Sequence, residues 1–334
     1  MSFPISYIFF FFFLISGTIL SISSSSWFGA WIGLELNLMS FIPLISMKMN
    51  PYFSEAALKY FLIQALASTF IIMSSCLFLS IFNMSFYLII TAFLLKLGAA
   101  PFHFWFPQVM EGLTWLQTII LMTIQKLAPM FLISYLMYTP ILIKITTLSA
   151  ILSAVFGALG GLNMMKLRKI MAFSSINHMS WMLIAITMNE MLWIMYFLFY
   201  SLISSSVVIM FHMFQMYTIS DLLTPMVSSS FMKILIPLSL LSLGGIPPFS
   251  GFIPKWLMIQ MMIMNKMFIS LVFLLFSALL TLYFYLRILI PFFLIINPAL
   301  SFNLKFNFFN PPLYLSLLIF NLSGLLTPIS FLIF

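Results

Sequence analysis

Charge is scarce in this chain of 334 residues: 13 lysines and arginines and 5 acids make up 5% of it, against 64% hydrophobic residues. A soluble domain carries roughly a quarter charged residues, so this sequence has too little polar side chain to cover a water-facing surface. The mean hydropathy of +1.22 agrees. The one cysteine, Cys76, excludes an internal disulfide and any four-cysteine cluster or zinc site. Three histidines are too few for a multi-haem protein. There is no glycine-rich phosphate loop and no polar segment long enough to hold a nucleotide. The net charge of +8 comes from basic residues scattered among apolar runs, which speaks against a nucleic-acid partner.

What is present is unbroken apolar sequence in stretches of about 20 residues, the length an α-helix needs to cross the hydrocarbon. Membrane β-strands would alternate polar and apolar positions. The expected fold is therefore all-α and polytopic. Serine, asparagine, proline and charge punctuate the chain into about eleven spans, at 3–22, 26–46, 54–80, 84–106, 109–137, 141–162, 168–188, 190–214, 232–265 (interrupted), 268–292 and 312–333. The first run lacks a basic flank and a small-residue cleavage site, so it reads as a retained span and not a signal peptide. The polar link at Ser220–Ser230 is a candidate interfacial helix. Phe, Met and Ile are abundant and Val and Ala few, the bias of an AT-rich, organellar genome.

Basic residues also orient the spans. Lys48, Lys166, Arg168, Lys169, Lys233, Arg287 and Lys305 fall on the side of the N-terminus, against Lys144 and Lys266 on the other. The N-terminus is thus expected on the negative side, and an odd span count puts the C-terminus opposite.

Two segments repeat a pattern. "LKLGAAPFHFWFP" at 95–107 and "LSLGGIPPFSGFIP" at 241–254 share L-x-L-G-x-x-P and reach Phe106 and Phe252 eight residues after Gly98 and Gly244. They lie in the fourth and ninth spans, five apart and so opposite in direction. Paired Gly/Pro-interrupted spans in inverted halves are expected of a transporter with a midplane site. Breaking a helix in lipid frees backbone groups, which is tolerated beside a polar cavity. Two discontinuous helices and two inverted five-helix repeats are expected, over 1–137 and 141–292, with a C-terminal helix at 312–333, in one membrane domain.

The ionisable residues inside spans are the candidate functional groups, because each costs roughly 2.5–3.5 kcal/mol at a helix centre. A lysine near a span end simply snorkels to the interface. That escape fails for Lys96 and Lys126, and for Lys255 unless it stands nearer a span end, and Glu35 lies equally deep in "WIGLELNLMSF". Lys59 is closer to an end: it can pair with Glu55 one turn away, or with Glu35 across a short link between antiparallel spans. His178 in "SSINHMSWML" and His103 in "PFHFWF" are further candidates, and His212 reads as a packing residue. At an effective dielectric of about 20, a unit pair is worth roughly 3.3 kcal/mol at 5 Å and about 1.7 at 10 Å. Moving a countercharge between those distances changes a buried amine's proton affinity by about one pKa unit. A row of such sites can hand on protonation.

Several strings resemble the NADH dehydrogenase subunit 2 family, the mitochondrially encoded antiporter-like membrane subunits of respiratory complex I. They are "WIGLELNL" (31–38), "SEAALKYFL" (54–62), "LLKLGAAPFHFWFP" (94–107), "TIQKLAPM" (123–130), "GGLNMMKLRKIMAFSSINHMSWM" (160–182) and "SLGGIPPFSGFIPKW" (242–256). The resemblance implies an antiporter-like fold and a polar axis in the membrane plane: Glu35 and Lys59 as an ion pair, Lys96 at the centre, Lys126 as the link and Lys255 at the far end. It implies proton translocation coupled to electron transfer from NADH to ubiquinone, with no cofactor in this chain, since NAD, FMN, iron–sulfur clusters and ubiquinone bind other subunits. It also implies the mitochondrial inner membrane, where the charge count puts the N-terminus in the matrix and the C-terminus in the intermembrane space; the composition fits an invertebrate mitochondrion. The implied partners are other membrane-arm subunits, neighbouring antiporter-like subunits among them, and lipids such as cardiolipin. Bacterial members carry about three more N-terminal spans, and this chain is expected to start after them. Met164, Met165 and Ser180 depart from the family pattern. A stand-alone cation/proton antiporter and a purely structural assembly subunit are the alternative functions.

Overall fold

The computed structural model describes residues 5–46, 50–78, 82–223 and 230–294. Its helices run in chain order as α1 (Ile5–Ser23), α2 (Trp27–Ser46), α3 (Pro51–Leu77), α4 (Phe82–Leu97), α5 (Trp105–Gly112), α6 (Trp115–Met122) and α7 (Ile124–Ser134). There follow α8 (Pro140–Gly161), α9 (Leu167–Met188), α10 (Glu190–Met213), α11 (Ser230–Gly244), α12 (Phe252–Met264) and α13 (Phe268–Leu294), with a 3-10 turn at Ile219–Leu223. No strand occurs among the described residues. Among the described residues, eight helical stretches are long and apolar enough to cross a membrane, α6 and α7 together counting as one. With the interrupted pairs α4/α5 and α11/α12 they account for the first ten expected spans. The eleventh, at 312–333, lies outside the described residues, as do Lys48, Lys305 and the side chain of Lys233.

The chain divides into two units, Met1–Phe156 and Gly157–Phe334. In the first, α1 packs on α2, α2 on α3, and α3 on α4 and α5. The α1–α2 crossing is close because glycines meet there: a Cβ on Gly17 would stand 2.9 Å from both the Gly33 carbonyl and the Asn37 amide. Without a hydrophobic drive between helices in lipid, such backbone approach is a main source of association. In the second unit α9 is the centre, buried along nearly its whole length and packed against α10, α12 and α13. A helix buried all round is apolar all round in most proteins. This one carries Ser174, Ser175, Asn177, His178 and Ser180 within its buried stretch.

Two boundaries differ from the sequence reading. The fifth span, expected from 109, starts at Trp115, and residues 105–112 form the second half of the broken fourth span. A capping box explains the start: Thr114 and Gln117 satisfy each other's backbone amides. The same span then departs from helical geometry at Thr123 (φ −114°, ψ −79°). Between α10 and α11, the described part of the polar link is the short 3-10 turn, with 224–229 outside the described residues.

Candidate functional site

Both interrupted spans break by the same device. Gly98 and Gly245 have φ of +68° and +78°, the left-handed region that costs an L-residue about 1–2 kcal/mol. After α4, the Gly98 amide donates to Leu95 O and Ala99 to Leu94 O. After α11, Gly245 donates to Ser242 O and Ile246 to Leu241 O. Each pattern is a Schellman closure, which uses carbonyls that a helix end would leave unpaired. The second half then starts at Trp105 and Phe252, each seven residues past its glycine. The structural register therefore pairs Gly98 with Gly245 and Pro101 with Pro248. That is one residue off the L-x-L-G-x-x-P match, which set Gly98 against Gly244 and Phe106 against Phe252. Conformation decided the alignment where letters misled.

A buried lysine lies near the carbonyl end of each break, where a cation is favoured. Lys96 lies in the last turn of α4 and is 7% exposed. Lys255 comes from the second half instead: it is 6% exposed, and its Nζ donates back across the break to Gly244 O at 2.7 Å. At the first break neutral donors do that work, Gln64 Nε2 reaching Lys96 O at 3.3 Å and Trp105 Nε1 reaching Leu95 O at 3.1 Å.

Lys96 shares a small cavity with Lys126, which is 2% exposed. Gln64, Gln125 and Tyr60 contribute polar walls, and there is room for about one water molecule. Glu35 on α2 lies within electrostatic range of Lys96, and its buried Oε2 has no hydrogen-bond partner among the described residues. Lys126 stands in the first turn of α7, at the amide end, where the helix gives a cation no help. The face of Phe106 does, with Nζ 5.2 Å from the ring centroid. A desolvated cation–π contact is worth about 2 kcal/mol.

In the second unit His178 Nδ1 lies 3.0 Å from the Tyr196 hydroxyl. Both line a cavity with Tyr200, Ser242 and Pro254, the last adjacent in sequence to Lys255. His103, in the first break, stacks on Phe156 at 5.0 Å and has a buried Nδ1 with no hydrogen-bond partner among the described residues.

Lys59 is placed differently from the implied pair with Glu35. It bonds Glu55 at 2.6 Å on an open face of α3, the two side chains being 41% and 61% exposed. The reason is local: a carboxylate four residues earlier on one helix face is within reach without any folding of the chain. The structure thus gathers Glu35, Lys96 and Lys126 in the first unit and His178 with the Lys255 break in the second, and leaves Lys59 outside. Sequence reading missed Tyr60, Gln64 and Gln125. The signal that could have found them is an amide or hydroxyl inside an apolar span, since buried polar groups need partners.

Helix breaks with buried lysines at their carbonyl ends, in an otherwise apolar helical chain, define an antiporter-like membrane protein. A model of the NADH:quinone oxidoreductase/Mrp antiporter transmembrane family matches residues 24–85 and 80–281. The chain is 49% identical over 318 residues to NADH-ubiquinone oxidoreductase chain 2 of Anopheles gambiae, covering 92% of each. It is 37% identical over 334 residues to the chain 2 of Hylobates lar, covering 95% of this chain and 94% of that one. Its fold matches a chain of respiratory complex I from Thermus thermophilus with a TM-score of 0.84 at 23% identity, covering 98% of this chain and 80% of that one. A chain of the Mrp complex from Dietzia follows at 0.76 and 16%, covering 84% and 59%. The chain belongs to the NADH-ubiquinone oxidoreductase chain 2 family within these antiporter-like proteins.

Proposed function

We propose that this chain is a membrane-arm subunit of respiratory complex I that takes part in proton translocation across the mitochondrial inner membrane. Electron transfer from NADH to ubiquinone proceeds in other subunits, which hold the NAD, FMN, iron–sulfur and quinone sites. The observation that carries the reading is the cavity shared by Lys96 and Lys126 beside a helix break. In this reading a charged Lys96 is held by Glu35 and by the carbonyl end of α4. When that support weakens, its proton passes through water to a neutral Lys126. In the second unit, Lys255 and His178 are the candidate proton-bearing groups. Lys59 has no part in the transfer itself.

The same reading places the N-terminus in the matrix and the C-terminus in the intermembrane space. The clustering of Lys166, Arg168 and Lys169 with Arg287 supports it, since the Arg287 Nη1 donates to Leu162 O at 2.7 Å at that end of the second unit. Neighbouring antiporter-like subunits are the protein partners, and anionic lipids such as cardiolipin suit the basic end.

The test is Lys96→Met against Lys96→Arg in the assembled complex. Methionine keeps the volume and removes the charge; arginine keeps the charge but does not release its proton at working pH. Both are expected to lower protons pumped per NADH oxidised. Normal stoichiometry with methionine would refute the reading, and normal stoichiometry with arginine would reduce Lys96 to a packing charge.

A further inference from the structure

Gln125 immediately precedes Lys126 in a turn where the backbone bonding is irregular. Helical geometry fails at Thr123, whose hydroxyl turns back to Ile119 O at 2.7 Å. The helix that restarts at Ile124 opens on an i→i+3 bond, the Lys126 amide donating to Thr123 O at 3.1 Å, in place of the regular i→i+4 pattern. Further on, Pro129 offers no amide to the Gln125 carbonyl one turn back. The turn bearing Lys126 is thus loosened on both sides, within an apolar span.

Side-chain bonds from Gln125 tie it down. The Tyr60 hydroxyl on α3 donates to Gln125 Oε1 at 3.1 Å, and Gln125 Nε2 donates to Asn37 Oδ1 on α2 at 2.7 Å. Both anchors are themselves held. Tyr60 is 2% exposed, with the rings of Phe41 and Trp105 at 5.1 and 6.0 Å. Asn37 is buried at the close α1–α2 crossing, where Gly17 meets its amide. The bridge is directional, because one end of the amide accepts and the other donates. A hydrocarbon side chain at 125 would lose both ends and leave Asn37 Oδ1 without this donor.

We propose that Gln125 is a positioning residue for proton transfer: by bridging α2 and α3 it holds the first turn of α7 so that Lys126 stays on the cavity it shares with Lys96. The amide does not carry a proton itself; it sets the gap that a water molecule must span. A packing residue would support only folding and assembly. A positioning residue also supports the yield of transfer in complexes that have assembled.

The inference rests on the proton-path reading above, so Lys96→Met is the reference. Complexes carrying Gln125→Leu, Tyr60→Phe, Asn37→Leu or Lys96→Met are reconstituted in liposomes, and protons pumped are measured per NADH oxidised, with assembled complex quantified separately. Gln125→Leu is expected to lower the ratio at least half as much as Lys96→Met, and the variants that each remove one bond to lower it less. If Gln125→Leu fails to assemble, Tyr60→Phe and Asn37→Leu carry the test. A fall with Lys96→Met but a normal ratio in the Gln125, Tyr60 and Asn37 variants that assemble would overturn the positioning role alone. A normal ratio with Lys96→Met would overturn the proton-path reading and this inference together.

Discussion

Lys96, Lys126 and Lys255 are all less than a tenth exposed, in a chain with five acids in all. Each has its own local support: the carboxylate of Glu35, the ring of Phe106 and the carbonyl of Gly244. Lys59 differs, since its partner is an exposed neighbour on its own helix. Exposed i,i+4 pairs contribute about 0.3–0.5 kcal/mol. Lys59→Met is therefore expected to leave protons per NADH unchanged, while Lys126→Met lowers them. Equal losses in a reconstituted pumping assay would show that Lys59 belongs to the path. The buried lysines were legible in the sequence because charge deep in an apolar run is conspicuous. Asn37, Gln64 and Gln125 were not, because an uncharged amide stands out little. The partners of Gln125 are also 88 and 65 positions away, beyond any local pattern.

At the scale of elements, helix existence followed from run length, and both breaks followed from glycine and proline. Which glycine takes the left-handed position did not, because Gly244 and Gly245 are adjacent and letter matching favours the first. The structure separates them. A Cβ on Gly244 would meet nothing nearer than the Tyr285 ring at 3.6 Å, whereas one on Gly245 would stand 2.8 Å from Lys255 Cδ, on top of its positive φ. Gly244→Ala is expected to be neutral or to stabilise by about 0.5–1 kcal/mol. Gly245→Ala should destabilise by about 1–2 kcal/mol from backbone alone and disturb the Lys255 bond. Thermal stability of the assembled complex ranks the two, and the reverse order would restore the register read from the letters. The capping box at Thr114–Gln117 was legible but overlooked, which misplaced the start of the fifth span.

The segment joining α10 to the 3-10 turn pairs with the α8–α9 loop, Leu167 N meeting Tyr217 O and Ile219 N meeting Met165 O at 2.9 and 3.1 Å. Asp221 buttresses it by accepting from the Tyr217 and Thr218 amides at 2.9 and 2.7 Å. Burial raises its pKa, but these amide bonds outweigh that and hold it below the usual carboxylate value. A depressed pKa contributes stability that is present above the unfolded value of about 4 and is lost as pH falls through the folded value. Hydrogen exchange at Tyr217 and Thr218 should stay slow from neutral pH down to that range and accelerate below it, allowing for the intrinsic rate. Asp221→Asn should remove the pH dependence. Unchanged protection at low pH in the native chain would deny the carboxylate this role.

For the whole molecule, the balance of basic residues predicts that the loop at Lys166–Lys169 faces the matrix. A cysteine introduced at Met165, which is 59% exposed, should react with a membrane-impermeant thiol reagent in inside-out vesicles and not in intact mitoplasts. The opposite pattern would invert the topology. Lys96 and Lys126 line one cavity, and in the proposed path a proton crosses it by way of water. A density map of the assembled complex, at a resolution that shows ordered water, tests it most directly. A water molecule is expected in the cavity lined by Tyr60, Gln64 and Gln125, within hydrogen-bonding reach of both lysine nitrogens or joining them through one further water. Dry packed side chains between the two lysines, or a Lys126 turned away from the cavity, would contradict it.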